Sequence, residues 1–316
     1  MAEVQKSIQS APNRRFRRGG RALVASAALT LAGTACGVVS GPSAHNLSSV
    51  SKAASAKPEL TPARKLAALH GRIIVDVWGD SITAGTNTTG NNTQTHRELA
   101  FPALLQTDLN RGRSPADHIT VNNYGAPGSP IESMEGLFHA MPLVCADPDQ
   151  CHNSVISTSY PADQVPDLTI INPSINEMAV PDGNFWTAID GVTKAYKELV
   201  MRGARPGTIL LAHMLPMAAE NALNAKTFPE VQKFNAWVDK QSRDTHSPTW
   251  MPTLPTANQR FLTTDPSQPD DIINGFGLLD SKASFDSLHL TSYAQEMLEV
   301  IYEPGIIDAL YKTRQP

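Results

Sequence analysis

The sequence predicts an α/β fold, with helices on both faces of a mostly parallel sheet. Two observations point to it. From about residue 66 onward, short β-branched runs alternate with longer amphipathic ones. The chain has 316 residues, 41% of them hydrophobic and 18% charged, which is enough apolar material to bury such a sheet and rules out collagen-like, coiled-coil and polytopic membrane classes. Residues 73–78 form a nearly continuous apolar run, as a strand buried on both faces requires. Residues 99–109 have helical spacing, 119–124 read as a second strand and 168–171 as a third. Residues 185–202 place Ile189, Val192, Ala195, Tyr196 and Val200 on one helical face, with Gly203 just past the end. Residues 208–212 are a fourth strand and 231–241 a helix. The last helix spans 292–303, with Ala294, Met297, Val300 and Ile301 inward and Pro304-Gly305 as its predicted stop. In sheets of this kind ligands bind at the carboxyl ends of the strands, so any chemistry is expected just after them.

Residues 1–66 do not fit this pattern. Lys6, Arg14, Arg15, Arg17, Arg18 and Arg21 precede an apolar run, 22–35, of 14 small and aliphatic residues. That is shorter than the roughly 20 residues a membrane-spanning helix needs. A cationic start, a short apolar stretch and a small-residue exit read as an export signal over residues 1–36, so an exported or surface protein is expected. Taking the six bases from the 26 in the chain, and Glu3 from the 30 acids, leaves 20 and 29, a net of −9 for the remainder. That balance argues against nucleic acid as a partner. Gly33-Thr34-Ala35-Cys36 resembles a lipoprotein box, with Gly33 where Leu is usual. Lipidation of Cys36, with membrane attachment through it, stands beside a plain signal-peptidase cut. Residues 37–66, rich in Ser, Ala, Pro and Lys, read as a flexible linker and 67–316 as the folded domain. Cys145 and Cys151 flank a short polar loop containing Pro148, which in an exported protein favours a local disulfide. A metal reading there would have only His152 as an added ligand and stays incomplete.

Four short motifs fall where the fold says chemistry should be. Gly79-Asp80-Ser81 follows the first strand, where Ser81 would begin a helix with its hydroxyl exposed and its N–H unpaired. Such a serine is a candidate nucleophile, although the same triplet also reads as an ordinary turn and helix cap. Asn123-Tyr124-Gly125-Ala126-Pro127-Gly128 closes the second strand, and Ser174-Ile175-Asn176-Glu177 closes the third. The N–H groups of Ser81 and Gly125 and the amide of Asn176 are candidate donors to a tetrahedral oxyanion. Asp286-Ser287-Leu288-His289 precedes the last helix. Its spacing lets the carboxylate reach the imidazole Nδ1 and leaves Nε2 to take a serine proton, while Asp286 as a simple cap is the plainer reading.

The order Gly-Asp-Ser, Asn-x-Gly, an Asn motif and Asp-x-x-His resembles the SGNH hydrolases, also called the GDSL esterase/lipase family, over about residues 70–305. The resemblance implies a flavodoxin-like three-layer α/β/α sandwich. It implies Ser81 as nucleophile, His289 as base, Asp286 as its orienting partner, and Ser81, Gly125 and Asn176 as the oxyanion hole. The third block departs from the usual Gly-x-Asn-Asp, with Ser174 for Gly and Glu177 for Asp.

The expected function is an exported serine esterase or lipase that hydrolyses carboxylic esters of small molecules, glycans or lipids. It would work as a monomer, with no metal and no cofactor. The alternatives are an O-acyltransferase or deacetylase acting on a surface polysaccharide, thioester hydrolysis, or a non-catalytic surface binding lipoprotein. The polar loop 85–95 lies beside the site as a cleft wall or a solvated loop, and Phe185-Trp186 as an apolar wall or the start of a core face. His96, His118, His139 and His213 show no partner spacing and are read as structural.

Overall fold

β-Branched and aliphatic residues supply a sheet of parallel strands. The computed structural model describes residues 59–90, 94–130, 164–179, 182–217, 221–245 and 283–315, all within the compact unit Lys57–Pro316. Strands β1 (Ile73–Gly79), β2 (Ile119–Gly125), β3 (Leu168–Ile171) and β4 (Ile209–Leu211) pair in the order β2-β1-β3-β4. The register runs from Ile73 opposite Ile119 to Gly79 opposite Gly125, with Val75 opposite Leu168 and Thr169 opposite Ile209. The chain leaves β1 for one side of the sheet and returns on the other, so β1 and β3 flank the switch point at which such folds open a cleft.

Helices cover both faces. They are α1 (Pro62–Ala67), α2 (Ser81–Ala84), α3 (Phe101–Leu109), α4 (Asn176–Ala179), α5 (Phe185–Met201), α6 (Asn224–Arg243) and α7 (Ser292–Thr313). Alternate residues of each strand feed two separate cores. Ile73, Val75, Val77, Ile119, Val121, Leu168, Ile170 and Leu210 pack with α3 and α7. Trp78, Tyr124, Ile171, Ile209 and Leu211 pack with α5 and α6. Each such aliphatic side chain contributes about 1.5–3 kcal/mol when fully buried. Across the first core the rings of Phe101 on α3 and Tyr302 on α7 meet edge to face at 5.5 Å. The result is the three-layer sandwich that the sequence predicts.

Helix ends differ most from expectation. The last helix does not stop at Pro304 but carries it inside and continues to Thr313. An interior proline costs about 3 kcal/mol. Ile306, Ile307 and Leu310, all buried in the α7 core, offset that cost, so packing overrides the local stop signal. Helix α6 likewise begins at Asn224 rather than 231 and contains Pro229. The folded body begins before residue 67, because α1 lies within the stretch read as linker. Its Lys65 pairs with Glu59 at 2.9 Å and with Asp308 of α7 at 2.5 Å. The export signal, Cys36, Cys145, Cys151 and His139 lie outside the described residues. Among the described residues no helix is long and apolar enough to cross a membrane.

Candidate active site

Ser81 is the first residue of α2, directly after β1, and is 5% exposed. The turn that presents it is tightly built. The Asp80 side chain accepts from Ile82 N–H at 2.8 Å, and Thr83 Oγ1 accepts from the Asn172 amide beyond β3 at 2.8 Å. A Cβ on Gly79 would lie 1.9 Å from Thr83 Oγ1, so only glycine fits where the strand turns into the helix.

Asp286 and His289 arrive from the other end of the chain. His289 Nε2 lies 2.9 Å from Ser81 Oγ, and His289 Nδ1 lies 2.6 Å from Asp286 Oδ2. An ionised carboxylate accepts only, so the imidazole proton sits on Nδ1 and Nε2 is free to accept from the serine. The two readings of Asp286 prove compatible, because its oxygens divide the work. Oδ1 caps the turn, accepting from His289 N–H at 2.7 Å and Leu288 N–H at 3.1 Å, while Oδ2 faces the imidazole. Burial by itself would raise the Asp286 pKa. Hydrogen bonds from the His289 ring, the His289 N–H and the Asn87 amide overcome it and hold the pKa at about 2. Asp80 shows the opposite balance: burial raises its pKa against the bond from Ile82 N–H.

Asn176 opens α4 after β3. Its N–H donates to Ser174 Oγ at 2.9 Å and its side-chain Nδ2 to Ser129 O at 3.2 Å. Ser174 thus supplies an acceptor that glycine would lack, and both Ser174 and Glu177 are buried.

Gly125 departs from its expected part. Its N–H already donates to Asn123 Oδ1 at 2.9 Å, which leaves it unavailable to an oxyanion. The need for glycine there is steric, since a Cβ would lie 2.3 Å from Ala84 N, where β2 ends against α2. Arg97 fastens the same strand end, donating to Asn123 O at 3.0 Å and Gly125 O at 2.8 Å. Beyond it, Ser129 N–H closes a turn onto Ala126 O at 3.2 Å, with Pro127 and Gly128 (φ 73°) at its centre. That pairing is the signature of a type II turn. The Gly128 N–H has no partner among the described residues.

The remaining predicted residues sort plainly. His96 does have a carboxylate neighbour, Glu98, at 3.1 Å, and His213, buried, has Asp239 at 3.1 Å. Trp186 is exposed, while Phe185 packs at the edge of the α5–α6 core, so the pair begins a core face with one ring only. Among the described residues no cluster of His, Cys, Asp or Glu is suited to hold a metal ion. Sequence reading missed Arg97 and Asn87. Neither belongs to a motif, and their partners lie 26 to 28 and 199 residues away, respectively.

The family described as GDSL-like lipase/acylhydrolase matches residues 77–298. The chain belongs to this family. As a GDSL-type acylhydrolase it is an enzyme that hydrolyses ester bonds. No curated protein matches its sequence. Its fold is similar to that of a lipase/acylhydrolase from Enterococcus faecalis, with 15% identity and a TM-score of 0.48 over 75% of this chain and 96% of that one. A carbohydrate acetylesterase family member from Sinorhizobium meliloti is 14% identical, with a TM-score of 0.47 over 75% and 99%. A family two carbohydrate esterase from Clostridium thermocellum, solved with cellohexaose, is 12% identical, with a TM-score of 0.43 over 73% and 62%. In this acylhydrolase the Gly-Asp-Ser turn and the Asp-x-x-His segment, 208 residues apart from Ser81 to His289, meet within hydrogen-bonding distance.

Proposed function

We propose that this GDSL-type acylhydrolase is an exported serine esterase that works through an acyl-enzyme on Ser81. The observation that carries the reading is the unbroken chain from Asp286 through His289 to Ser81, at 2.6 and 2.9 Å. His289 takes the Ser81 proton as Oγ attacks the ester carbonyl, and the imidazolium that forms is stabilised by Asp286. The proton then passes to the departing alcohol, and water activated by His289 releases the acid. The developing oxyanion is met by the Ser81 N–H, an orphan donor at the start of α2, and by the Asn176 amide. The Gly128 N–H replaces Gly125 as third donor, since it has no partner among the described residues and Asn176 reaches Ser129 in the same turn.

Export is supported by the cationic and apolar sequence of residues 1–36, with Cys36 as the point of lipid attachment at the cell surface or a nearby cut releasing the enzyme.

Steady-state hydrolysis of p-nitrophenyl acetate, butyrate and longer esters tests the mechanism. Ser81→Ala should lower kcat by about 10⁴-fold or more without changing the melting temperature. Equal rates for the two proteins would sink it. The chain-length profile measures the acyl pocket directly.

A further inference from the structure

The loop that leaves the nucleophile turn comes back to hold the acid. Asn87 lies in it, fully buried and with φ 58°, in the left-handed region that asparagine tolerates better than most side chains. Its Nδ2 donates to Asp286 Oδ2 at 2.8 Å, the oxygen that also faces His289 Nδ1 at 2.6 Å. The orientation of this amide is forced, because its oxygen turned toward a carboxylate would be repelled. Asn87 Oδ1 is then buried with no partner among the described residues. A side chain that leaves one polar atom buried and unpaired while presenting the other to a carboxylate is held for that donation.

The surroundings fix the donor in place. Asn87 N–H donates to Gln94 O at 2.9 Å, Gly90 N–H to Asn87 O at 3.1 Å, and Ser292 N–H at the start of α7 to Thr88 O at 3.0 Å. With Thr86 N–H donating to Ser81 O at 2.9 Å, the loop is tied both to the turn carrying Ser81 and to the helix that follows His289. The Asp286 carboxylate has a soft final torsion. Its Oδ1 is held by two backbone N–H groups and the Ser284 hydroxyl, and Asn87 supplies the second bond, beside that of His289 Nδ1, that locks Oδ2.

We infer that Asn87 is a positioning residue of the catalytic apparatus, holding Asp286 Oδ2 against the imidazole and so setting the aim and proton affinity of His289. This rests on reading Ser81, His289 and Asp286 as a triad. Two carboxylates already bear on this imidazole: Asp286, hydrogen-bonded to it, and the buried Asp80, whose charge interacts with it. An aspartate at position 87 would add another.

The test uses the full chain with Asn87→Gly, Asn87→Asp and Ser81→Ala. The readouts are p-nitrophenyl acetate kinetics across pH and the low-field proton NMR signal of the His289 Nδ1–H. Glycine adopts φ 58° without strain, so Asn87→Gly deletes the amide alone. Its kcat should fall about 10- to 100-fold with KM within about twofold, the range for losing a hydrogen bond to a charged group. The low-field signal should move or vanish. Asn87→Asp should lose more and shift the acid limb of kcat/KM to higher pH by about one unit, because added negative charge favours the imidazolium. Parental kcat, pH profile and NMR signal in folded Asn87→Gly would overturn the inference, as would a loss confined to KM. If Ser81→Ala keeps the parental rate, the triad reading itself fails. If Ser81→Ala is inactive while Asn87→Gly is unimpaired, only the positioning role fails.

Discussion

The two halves of the site are built in different ways. The Ser81 half is an extension of the sheet: β1 pairs with β2 up to Gly79 and Gly125, and the turn carrying Ser81 packs against backbone on two sides. The Asp286–His289 half, residues 283–291, is irregular. It is closed by a single bridge between Ser284 and Leu290, includes Ser287 at φ 65°, and is held by side-chain hydrogen bonds to Asp286 and Ser284. Ser81 is therefore placed by packing, which resists small perturbations. His289 is placed by a few polar contacts, each of which a single substitution can delete. Regular pairing supplies rigidity to Ser81, the group proposed to attack the ester from one direction, while the irregular segment positions His289, the group proposed to exchange its proton.

The sharpest way to break this comparison is Asp286→Asn. The amide would donate where the carboxylate accepts, turning the imidazole to the tautomer that cannot accept from Ser81, so kcat should fall about 10⁴-fold. The same substitution tests the pH dependence of stability. The Asp286 pKa is depressed to about 2 from 3.8, so its stabilisation is present above the unfolded value and is lost as pH falls toward the folded one. For a partly solvated group this amounts to about 1 kcal/mol after allowing for screening, lost between about pH 4 and pH 2. Urea midpoints at pH 6, 4 and 2.5 should show this loss in the parent and not in Asp286→Asn.

The rigid half should respond through the backbone. Gly125→Ala forces apart the end of β2 and α2, at a cost of about 1–3 kcal/mol in stability. Displacing Ser81 by even about 1 Å should lower kcat about 100-fold. Calorimetry and ester kinetics on the one variant read both effects, and an unshifted melting temperature would show the two elements are less tightly joined than described. The smallest expected effect is Ser284→Ala. It removes a hydroxyl that donates to Asp286 Oδ1 at 3.2 Å and accepts from Leu288 N–H at 3.0 Å. About 1–2 kcal/mol of local stability and less than a tenfold loss in kcat are expected, with faster amide exchange confined to 283–291. Global loss of exchange protection instead would mean the segment is as firmly built as the sheet.

The difference between the halves also explains what the sequence made legible. The strands were readable nearly to the residue, because burial on both faces makes β1, β3 and β4 mostly apolar, while β2 is marked by Ile119 and Val121 alternating with polar residues. That Ser81, Asp286 and His289 come together was legible because each lies in a short motif at the end of a strand or before a helix. Asn87 was not, since one asparagine among several in a polar loop carries no mark of a partner 199 residues away. Gly125 was assigned its importance correctly but for the wrong reason: a sequence shows that the position is glycine, not whether the N–H or the missing Cβ matters. Pro304 misled because a local stop signal competes with burial of Ile306, Ile307 and Leu310, and that competition is decided only in three dimensions.

Helix α7 has a consequence for how the enzyme can be handled. It starts beside the site, where Ser292 meets Thr88, and runs 22 residues, about 33 Å at the usual rise, toward the end of the sheet where β1 begins. There Arg314 grips the carbonyls of His70 and Arg72, at the point where the chain enters β1. Arg314 therefore sits at the end of β1 remote from Ser81. A bead or fusion partner joined just after Arg314 is expected to leave the approach to that serine open, so the C-terminal side lends itself to immobilisation.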